Sequence, residues 1–305
     1  MKIGIVDLDT SHPQNWIPIE RELGHEIVGV WDGGSVHPKA YVEKFAEEHK
    51  LPRVFSSLAE LAEAADCAII HGCDWDTHLD KAQPFVQAGK SVLIDKPLAG
   101  KVRDIQRLLT WANEGARITG GSSLRFCQET TQWLAQPVSE RGTPHTILAG
   151  CAVDEFNYGI HAYSLLCGLM GPGAERVRHL GQGVQRRIQV TWEDGRTGFL
   201  VVGPAPNYMP FYATIVTEKG VTHFQADASR LYRALLTATL PYLAGETNTP
   251  PAPMEALVEP EMIALAARYS WLNDDCEVRL DDLPASDPGY DGAEFAAGYR
   301  KAKYP

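Results

Sequence analysis

The chain has 305 residues, of which 44% are hydrophobic and 22% are charged, and its formal net charge is −11 at pH 7. This length exceeds that of one ordinary domain and provides enough apolar surface for a large core, so we expect two domains. The acidic balance disfavours nucleic acids and anionic membrane surfaces as partners, because both require clustered Lys and Arg. A small molecule is the expected partner.

The sequence contains no apolar run that approaches the 18 or more residues of a membrane span. It enters a predicted strand directly after Met1 and does not begin with a basic segment, an apolar segment and a cleavage site. We therefore expect a cytoplasmic protein. The six cysteines lack paired CxxC spacing and lie mostly in apolar segments, which favours reduced and buried thiols over disulfides.

Short apolar strands alternate with helical patterns through the first 120 residues. Strands are predicted at 3–6, 25–31, 54–55, 67–71, 91–94 and near 118, and helices at 13–23, 38–49, 57–65, 77–88 and 102–114. Such alternation is typical of a parallel sheet with right-handed crossovers. We therefore predict an α/β fold whose N-terminal domain, residues 1–120, is a Rossmann-type doubly wound parallel sheet.

The pattern changes after about residue 120. Hairpins are predicted at 187–192 with 197–202 and at 213–217 with 221–225, helices at 231–243 and 260–271, and a last strand at 277–280. This order predicts an α+β domain with a mainly antiparallel sheet over residues 121–305. Residues 286–292 are predicted to form an extended arm. Ligands commonly bind in the cleft between two such domains.

Two motifs resemble one known family. Asp95-Lys96-Pro97-Leu98-Ala99 follows the fifth predicted strand and resembles a Glu-Lys-Pro signature of the glucose–fructose oxidoreductase, inositol dehydrogenase and MocA superfamily. In the second domain, Asn157-Tyr158-Gly159-Ile160-His161 is similar to that family's acid-x-Gly-x-His region. The resemblance covers nearly the whole chain. It implies an oxidoreductase that transfers hydride between a nicotinamide cofactor and a sugar, polyol or related hydroxy or oxo compound.

The resemblance also implies roles for single residues. Lys96 would contact the substrate hydroxyl and the cofactor, His161 would transfer a proton, and Asn157 occupies the position where many members have an aspartate that partners the histidine. Oxidation of an alcohol needs a base of near-neutral pKa and a cation to stabilise the alkoxide, so these residue types suit the reaction. Arg125, Tyr158 and Tyr163 are candidate substrate contacts.

Asp32 ends the second predicted strand, where an acid would bind the adenosine ribose hydroxyls, so if a nucleotide binds, NAD is favoured over NADP. The resemblance assigns the remaining cofactor contacts to Asp9, Thr10, Ser11, His12, Asp74, His78, Lys96 and Pro97. By family analogy, we expect a homodimer or homotetramer formed through the second-domain sheet, with Trp192, Phe199 and Val201 contributing if they face outward.

The phosphate-binding turn departs from the family. Its three glycine positions correspond to Asp7, Asp9 and His12. Glycines allow the backbone to turn tightly and approach the pyrophosphate. A carboxylate ~4 Å from a phosphate costs about 1 kcal/mol even in water and more in a shielded site. We therefore do not expect pyrophosphate to bind here in the usual pose.

The changed turn leaves two alternatives open. The first is a non-redox enzyme, metal-assisted in one version, on a scaffold that has lost NAD binding; the second is a non-catalytic sugar or nucleotide sensor. Nitrogen, oxygen and sulfur ligands that would meet at the carboxyl edge of the sheet are Asp7, Asp9, His12, His71, Cys73, Asp74, Asp76 and His78. Their spacing matches no metal motif, and helix caps and interdomain histidines account for them, so no residue is assigned as a metal ligand.

Overall fold

Two sheets, one parallel and one mainly antiparallel, organise the protein in a computed structural model that describes residues 1–304. The parallel sheet has the order β2-β1-β3-β4-β5 and contains β1 (Lys2–Val6), β2 (Glu26–Trp31), β3 (Cys67–Ile70), β4 (Ser91–Ile94) and β5 (Ile118–Gly120). The helices between its strands are α1 (His12–Glu22), α2 (Lys39–Glu48), α3 (Leu58–Ala64), α4 (His78–Gln87) and α5 (Val102–Asn113). The predicted Rossmann-type sheet is confirmed.

The strand predicted at 54–55 is the exception in this domain. Val54 forms one isolated bridge with Val30, and the chain leaves the sheet edge at once. The order of the other strands reverses between β1 and β3, because the chain runs outward to β2 and then returns to the opposite side of β1. A crevice opens at such a reversal, outside the carboxyl ends of the strands.

The second sheet has seven strands, of which only β6 and β9 pair in parallel. The order is β11-β10-β6-β9-β8-β7-β12, with β6 (Pro144–Gly150), β7 (Ala174–Gln182), β8 (Arg186–Trp192), β9 (Thr197–Val202), β10 (Tyr212–Thr217), β11 (Gly220–Gln225) and β12 (Val278–Arg279). Its helices are α6 (Gln128–Ala135), α7 (Val138–Arg141), α8 (Ile160–Met170), α9 (Leu231–Leu243) and α10 (Met254–Leu272). Both predicted hairpins and the mainly antiparallel character are confirmed.

Helix α10 begins six residues before its predicted start at Pro260, which lies inside it. A proline has no N–H to donate to the carbonyl four residues earlier. That carbonyl belongs to Ala256, and it accepts a hydrogen bond of 2.5 Å from Arg125 Nη2. An arginine from the domain junction thus replaces the missing helix hydrogen bond, which explains why the helix continues through a residue that predicts a boundary.

Helix α9 of the second half packs onto the first domain. Its buried leucines, including Leu235 and Leu240, share one core with Ile3 and Ile17. Ser91 Oγ donates to the Leu243 carbonyl at 2.8 Å and fixes the end of the helix on β4. The two domains are therefore joined by a shared apolar core.

The tail does not remain an extended arm as predicted. After the irregular segment 286–291 it forms α11 (Gly292–Lys303), which packs back on the first domain. Trp75 Nε1 donates to the Tyr290 carbonyl at 3.0 Å, and the Gly292 N–H donates to Asp76 Oδ2 at 3.2 Å. Within residues 1–304, none of the helices is long and apolar enough to cross a membrane.

The outer face of the seven-stranded sheet differs from the predicted set at one residue. Trp192 is buried and donates from Nε1 to the Gly171 carbonyl at 2.9 Å, so it lies on the inner face. Phe199 and Val201 are partly exposed on the opposite face. Two of the three predicted residues are therefore available at the open face.

Candidate active site

Lys96 follows strand β4 and reaches across to the second domain. Its Nζ donates to the Asn157 carbonyl at 3.0 Å and to Asn157 Oδ1 at 3.1 Å. Burial lowers the pKa of Lys96, against the opposing effect of Asp95 and Asp154. Asn157 therefore positions the lysine ammonium group and does not partner the histidine, in contrast to the role that the family resemblance implies.

His161 lies in the first turn of α8 and is held by Ser122. Its Nδ1 is 2.7 Å from Ser122 Oγ, which also accepts the Leu124 N–H at 3.1 Å. A hydroxyl oxygen has two lone pairs, so Ser122 Oγ can accept both the Leu124 N–H and a hydrogen on Nδ1, and this tautomer leaves the free lone pair of a neutral imidazole on Nε2. Burial, followed by the charge of Lys96, holds the pKa of His161 well below its ordinary value. The residue is therefore neutral at neutral pH.

Aromatic side chains surround this histidine. The Tyr158 ring contacts it edge-on with centroids 5.5 Å apart, and Phe211 lies at 5.0 Å. Burial raises the pKa of Tyr158 to about 12, so its hydroxyl stays protonated and can donate a hydrogen bond. The structure therefore brings Tyr158 to the site as predicted, and Phe211 adds an apolar wall that the sequence did not indicate.

Two other predicted substrate contacts lie elsewhere. Tyr163 is completely buried in the second domain, and within residues 1–304 its hydroxyl has no hydrogen-bond partner. Arg125 is committed to the Ala256 carbonyl on α10. Both side chains support the second domain and do not face Lys96 and His161.

A second group of polar side chains adjoins Lys96 at the carboxyl edge of the parallel sheet. His12 Nδ1 hydrogen-bonds to Asp95 Oδ2, and His71 Nδ1 is 3.3 Å from the same oxygen. The other oxygen, Oδ1, accepts the Lys96 backbone N–H at 2.8 Å. Burial acts to raise the pKa of Asp95, but His12 and His71 outweigh it and hold the pKa well below the ordinary value. Asp95 is therefore a buried carboxylate anion.

The turn after β1 is built from carboxylates. Asp7 has a φ of 65°, is fully buried, and pairs through Oδ2 with Lys81 Nζ at 2.6 Å. Its Oδ1 accepts the Gly33 N–H at 3.0 Å, and Asp9 Oδ2 accepts the Cys73 N–H at 2.8 Å. The backbone N–H groups of Gly33 and Cys73 thus donate to side-chain carboxylates of the protein.

Asp32 also accepts hydrogen bonds from backbone amides, and its contact with an adenosine ribose stays a prediction. Its Oδ2 accepts the Leu8 N–H at 2.9 Å and its Oδ1 accepts the Gly34 N–H at 2.7 Å. Asp74 Oδ1 accepts the Asp76 N–H at 3.2 Å and caps a short 3-10 turn. Each of these acids stabilises local backbone.

The other predicted cofactor contacts are also engaged within the protein. Thr10 Oγ1 accepts the His12 N–H at 3.2 Å, and buried His78 hydrogen-bonds through Nε2 to the Gly72 carbonyl at 2.8 Å. The Ser11 hydroxyl lies beside Tyr232 and lowers the pKa of its phenol, although burial raises that pKa overall. Pro97 is buried beside Lys96.

Helix α11 covers the same edge of the sheet from outside. Lys303 Nζ donates to the Asp9 carbonyl at 2.9 Å, and Arg300 Nη1 donates to the Gly34 carbonyl at 3.0 Å. Ala296, about one helical turn before Arg300, packs with Val36 and Cys73 in a small buried cluster. The helix therefore occupies the crevice outside the carboxyl ends of β1 and β2.

A dinucleotide does not fit this arrangement in the usual pose of the fold. The pyrophosphate would meet the Asp7 and Asp9 carboxylates and the His12 ring, where the pose requires bare backbone and free N–H donors. Helix α11 covers the crevice beside Gly34, Val36 and Cys73. The side chains of Lys96 and His161 are held by Asn157 and Ser122, which lie outside the carboxylate turn.

Sequence reasoning missed five residues of the site, namely Lys81, Ser122, Phe211, Tyr232 and Lys303. Each acts through a partner distant in the chain, and Lys303 contacts a residue 294 positions away. Only an indirect signal for Lys81 was present in the sequence. Two carboxylates in a buried turn require a nearby cation, and Lys81 lies one helical turn after His78, on the helix α4 that was expected to reach this edge of the sheet.

Comparison with known proteins gives a family match. Residues 1–120 match the model of the GFO, IDH and MocA family, described as an oxidoreductase family with an NAD-binding Rossmann fold. The trans-1,2-dihydrobenzene-1,2-diol dehydrogenase of Danio rerio is 32% identical over 110 residues, which make up 36% of this chain and 31% of that enzyme. The chain thus matches about a third of the length of its curated relatives.

Solved structures match over most of the chain. The myo-inositol dehydrogenase of Lactobacillus casei, in complex with NAD(H) and myo-inositol, has a TM-score of 0.75 and 14% identity over 92% of this chain and 96% of that chain. The scyllo-inositol dehydrogenase of Lactobacillus casei, with NAD(H) and scyllo-inositol bound, has a TM-score of 0.76 and 16% identity over 92% and 99%. The two-domain fold is therefore the same.

Proposed function

We propose that the chain, whose residues 1–120 match the model of the GFO, IDH and MocA family of oxidoreductases, is an enzyme of hydroxy or oxo compounds such as sugars and polyols. One observation carries the proposal. A buried ammonium group on Lys96 and a neutral imidazole on His161 lie at one interdomain site, each fixed by its own partner. A base and a cation of this kind are what proton removal beside a developing oxyanion requires.

Each residue of this interdomain site has a separate role in the proposed reaction. His161, neutral because it is buried and close to Lys96, accepts a proton from a substrate hydroxyl or from a carbon next to a carbonyl. Ser122 fixes the ring, and Lys96 stabilises the negative charge that develops on the substrate oxygen. Proton transfer by a positioned side chain contributes about 10²–10⁴-fold to a rate. Tyr158 and Phe211 limit access of water to the ring.

We further propose that the reaction does not use a dinucleotide held in the usual pose of the fold. The carboxylate turn and helix α11 support this proposal, because together they fill the dinucleotide crevice. Proton exchange at a carbon next to a carbonyl, or an isomerisation in which His161 returns the proton that it removed, uses the proton transfer and the oxyanion stabilisation that His161 and Lys96 supply. This is a non-redox activity on a dehydrogenase scaffold.

The second candidate is NAD-dependent hydride transfer to or from a sugar or polyol. It is favoured by the family match of residues 1–120 and by the NAD(H) complexes of the two inositol dehydrogenases of the same fold. NADP is the weaker option, because the Asp32 carboxylate directly follows β2 and would repel a phosphate on an adenosine ribose bound there. This candidate requires α11 and the carboxylate turn to move away.

A titration with NADH separates the two candidates. Energy transfer from the seven tryptophans to the reduced nicotinamide reports binding in the wild-type protein and in a chain that ends at Asp291. We expect no saturable binding to the wild type at millimolar NADH. Saturable micromolar binding to the wild type would overturn the non-redox proposal, and binding only to the shortened chain would identify α11 as the obstacle.

Turnover is tested directly by proton exchange. A panel of ketoses, oxo-polyols and sugar lactones is incubated with the protein in D₂O, and deuterium incorporation next to the carbonyl is followed by NMR. We expect exchange with at least one compound, lost in Lys96→Met and His161→Asn. Ligand binding by this panel with neither exchange nor NADH-linked turnover would favour the non-catalytic sensor.

A further inference from the structure

We propose that His12, His71 and Asp95 bind one divalent transition-metal ion, such as Zn²⁺, in the crevice between β1 and β3. One ligand atom of each residue lies within 4.8 Å of the others. The three residues follow β1, β3 and β4, so adjacent strands of one sheet hold them. The site lies where the fold would otherwise bind the phosphates of a dinucleotide.

The donor set matches catalytic metal sites. Two imidazole nitrogens and one carboxylate oxygen form a three-residue set that leaves a position for water or substrate. Tetrahedral ligands about 2.0–2.1 Å from an ion lie about 3.3 Å from each other. His71 Nδ1 and Asp95 Oδ2 are 3.3 Å apart. His12 hydrogen-bonds to the same oxygen and is the partly exposed member of the set, so an ion that binds there must displace its ring from direct contact with Asp95.

Surrounding contacts orient the ligands as an outer shell does in metal sites. The Lys96 backbone N–H donates to Asp95 Oδ1, which directs Oδ2 towards the histidines. The His12 ring stacks on Trp16 with centroids 5.5 Å apart and meets Tyr232 edge-on at 5.0 Å. These contacts limit the freedom of both side chains before an ion binds.

His71 carries an independent indication. Within residues 1–304, its buried Nε2 has no hydrogen-bond partner. If Nδ1 donates a hydrogen to Asp95, a lone pair remains on Nε2, in a ring that meets the Trp16 ring edge-on with centroids 4.8 Å apart. Metal coordination by Nδ1 instead leaves the hydrogen on Nε2, and an N–H next to an aromatic ring is weakly favourable. The surroundings of His71 therefore suit the tautomer that a metal ligand requires.

The ion would lie next to Lys96, whose backbone already contacts Asp95. A divalent cation with an open position polarises a substrate carbonyl or hydroxyl oxygen. The bound ion would add to the stabilisation of the oxyanion that Lys96 provides in its absence. This role rests on the proposed function, whereas the existence of the site does not.

Metal binding is tested without any activity assay. Protein stripped with a chelator is titrated with Co²⁺, and the visible d–d absorption and the heat of binding are recorded. We expect one ion per chain, affinity weakened by more than about 100-fold in His12→Gln and in Asp95→Asn, and no change in His145→Gln. His145 is the matched control, because it is exposed and lies outside the cluster. Circular dichroism verifies the fold of each variant.

Two results would overturn the site. One is a folded wild-type protein that gives neither a Co²⁺ spectrum nor heat at millimolar Co²⁺. The other is equal affinity in His12→Gln and His145→Gln. If the ion binds but the D₂O panel shows no exchange, the proposed function fails and the site stands. If exchange persists in the presence of the chelator, the function stands without the metal.

Discussion

Lys81 Nζ lies 2.6 Å from Asp7 Oδ2, and both side chains are buried at the position where a dinucleotide-binding turn would have its first glycine. The pair joins α4 to the end of β1. Asp7 also accepts the Gly33 N–H, so the same carboxylate connects β1 to the loop after β2. A salt bridge of the protein thus lies in the crevice that would hold a pyrophosphate.

Removing the lysine should therefore destabilise the fold. Lys81→Met leaves the Asp7 carboxylate buried without its cation, and breaking a buried pair in this way costs about 3–5 kcal/mol. Urea unfolding measures the loss. The double variant Asp7→Gly, Lys81→Met should recover most of it, because the unpaired charge is gone and glycine adopts the φ of 65° without strain. Equal stability of Lys81→Met and wild type would contradict a structural role of the pair.

The acid limb of the pH–rate profile should report His161. A neutral base loses activity as pH falls through its pKa, and burial together with Lys96 holds that pKa well below the ordinary value of 6.5. The exchange activity should therefore persist below about pH 6. In Lys96→Met, the rate should fall and the acid limb should move to higher pH, because the largest cause of the low pKa after burial has been removed. An unmoved limb would assign the titration to another group.

Ser122 should act as a positioning residue. Ser122→Ala removes the hydrogen bond to His161 Nδ1 but leaves Lys96 intact. We expect the exchange rate to fall by about tenfold with unchanged substrate affinity, since a hydrogen bond contributes roughly 0.5–1.5 kcal/mol. Ser122→Thr keeps the hydroxyl and should retain the rate. If Ala and Thr are equally impaired, packing and not the hydrogen bond is responsible.

The sequence predicted the parts of this site that depend on local pattern. Lys96 and His161 could be found because each lies in a short motif directly after a strand or at the start of a helix. The Asp7–Lys81 pair could not be found in this way, because it joins residues 74 positions apart and becomes evident only when α4 is placed on β1. A pair of residues this far apart produces no periodic pattern in the sequence.

Helix α11 was missed despite a local signal. Asp291 accepts the Glu294 N–H, and an acid followed three residues later by Glu resembles a capping box. The preceding Asp287-Pro288-Gly289 favoured an extended arm instead. The contacts that fix the helix, from Arg300 and Lys303 to the first domain, are long-range, so the tail's position could be obtained only from the structure.

Glu20 should make the stability of the protein depend on pH. Both of its carboxylate oxygens are buried and unpartnered within residues 1–304, and burial raises its pKa from 4.5 to about 8. The folded state then holds a proton that the unfolded state releases, so stability falls as pH rises from about 4.5 to about 8. The loss at pH 7 is on the order of 3 kcal/mol.

Glu20→Gln should remove this dependence. We expect the variant to match the wild type near pH 4.5 and to be more stable by on the order of 2–3 kcal/mol at pH 7, because glutamine has no proton to release. Urea unfolding at both pH values gives the comparison. Exposed Glu43→Gln is the matched control and should show no such difference. If the difference in the free energy of unfolding between Glu20→Gln and wild type is the same at both pH values, packing and not ionisation would be its cause.

The open face of the seven-stranded sheet is predicted to join two copies of the chain. Leu148 pairs with Phe199 across β6 and β9, and Leu148 is 37% exposed in the single chain. A charge at the centre of an apolar interface is costly to bury. Phe199→Glu should therefore convert the assembly to monomers in light scattering, whereas Glu193→Gln in the β8–β9 turn should not. A monomeric wild type would refute the prediction.

Helix α11 should protect Cys73 from modification. In the described chain, Cys276 is exposed and the other five cysteines are buried, with Cys73 covered by Ala296. In a Cys276→Ser background, a chain ending at Asp291 should expose Cys73 to modification by a maleimide. The reaction is run at alkaline pH, because burial and Asp9 raise the pKa of this thiol and slow its reaction at neutral pH. Mass spectrometry of peptides identifies the modified residue.

The pattern of labelling distinguishes local exposure from unfolding. Modification of Cys73 alone would show that α11 closes the crevice and that the first domain survives its removal. Modification of all five remaining cysteines would mean that the helix is needed for the fold, as buried thiols in both domains would then be open. If Cys73 stays protected after removal of α11, the carboxylate turn alone closes the crevice, and only substitutions such as Asp7→Gly could open it to a dinucleotide.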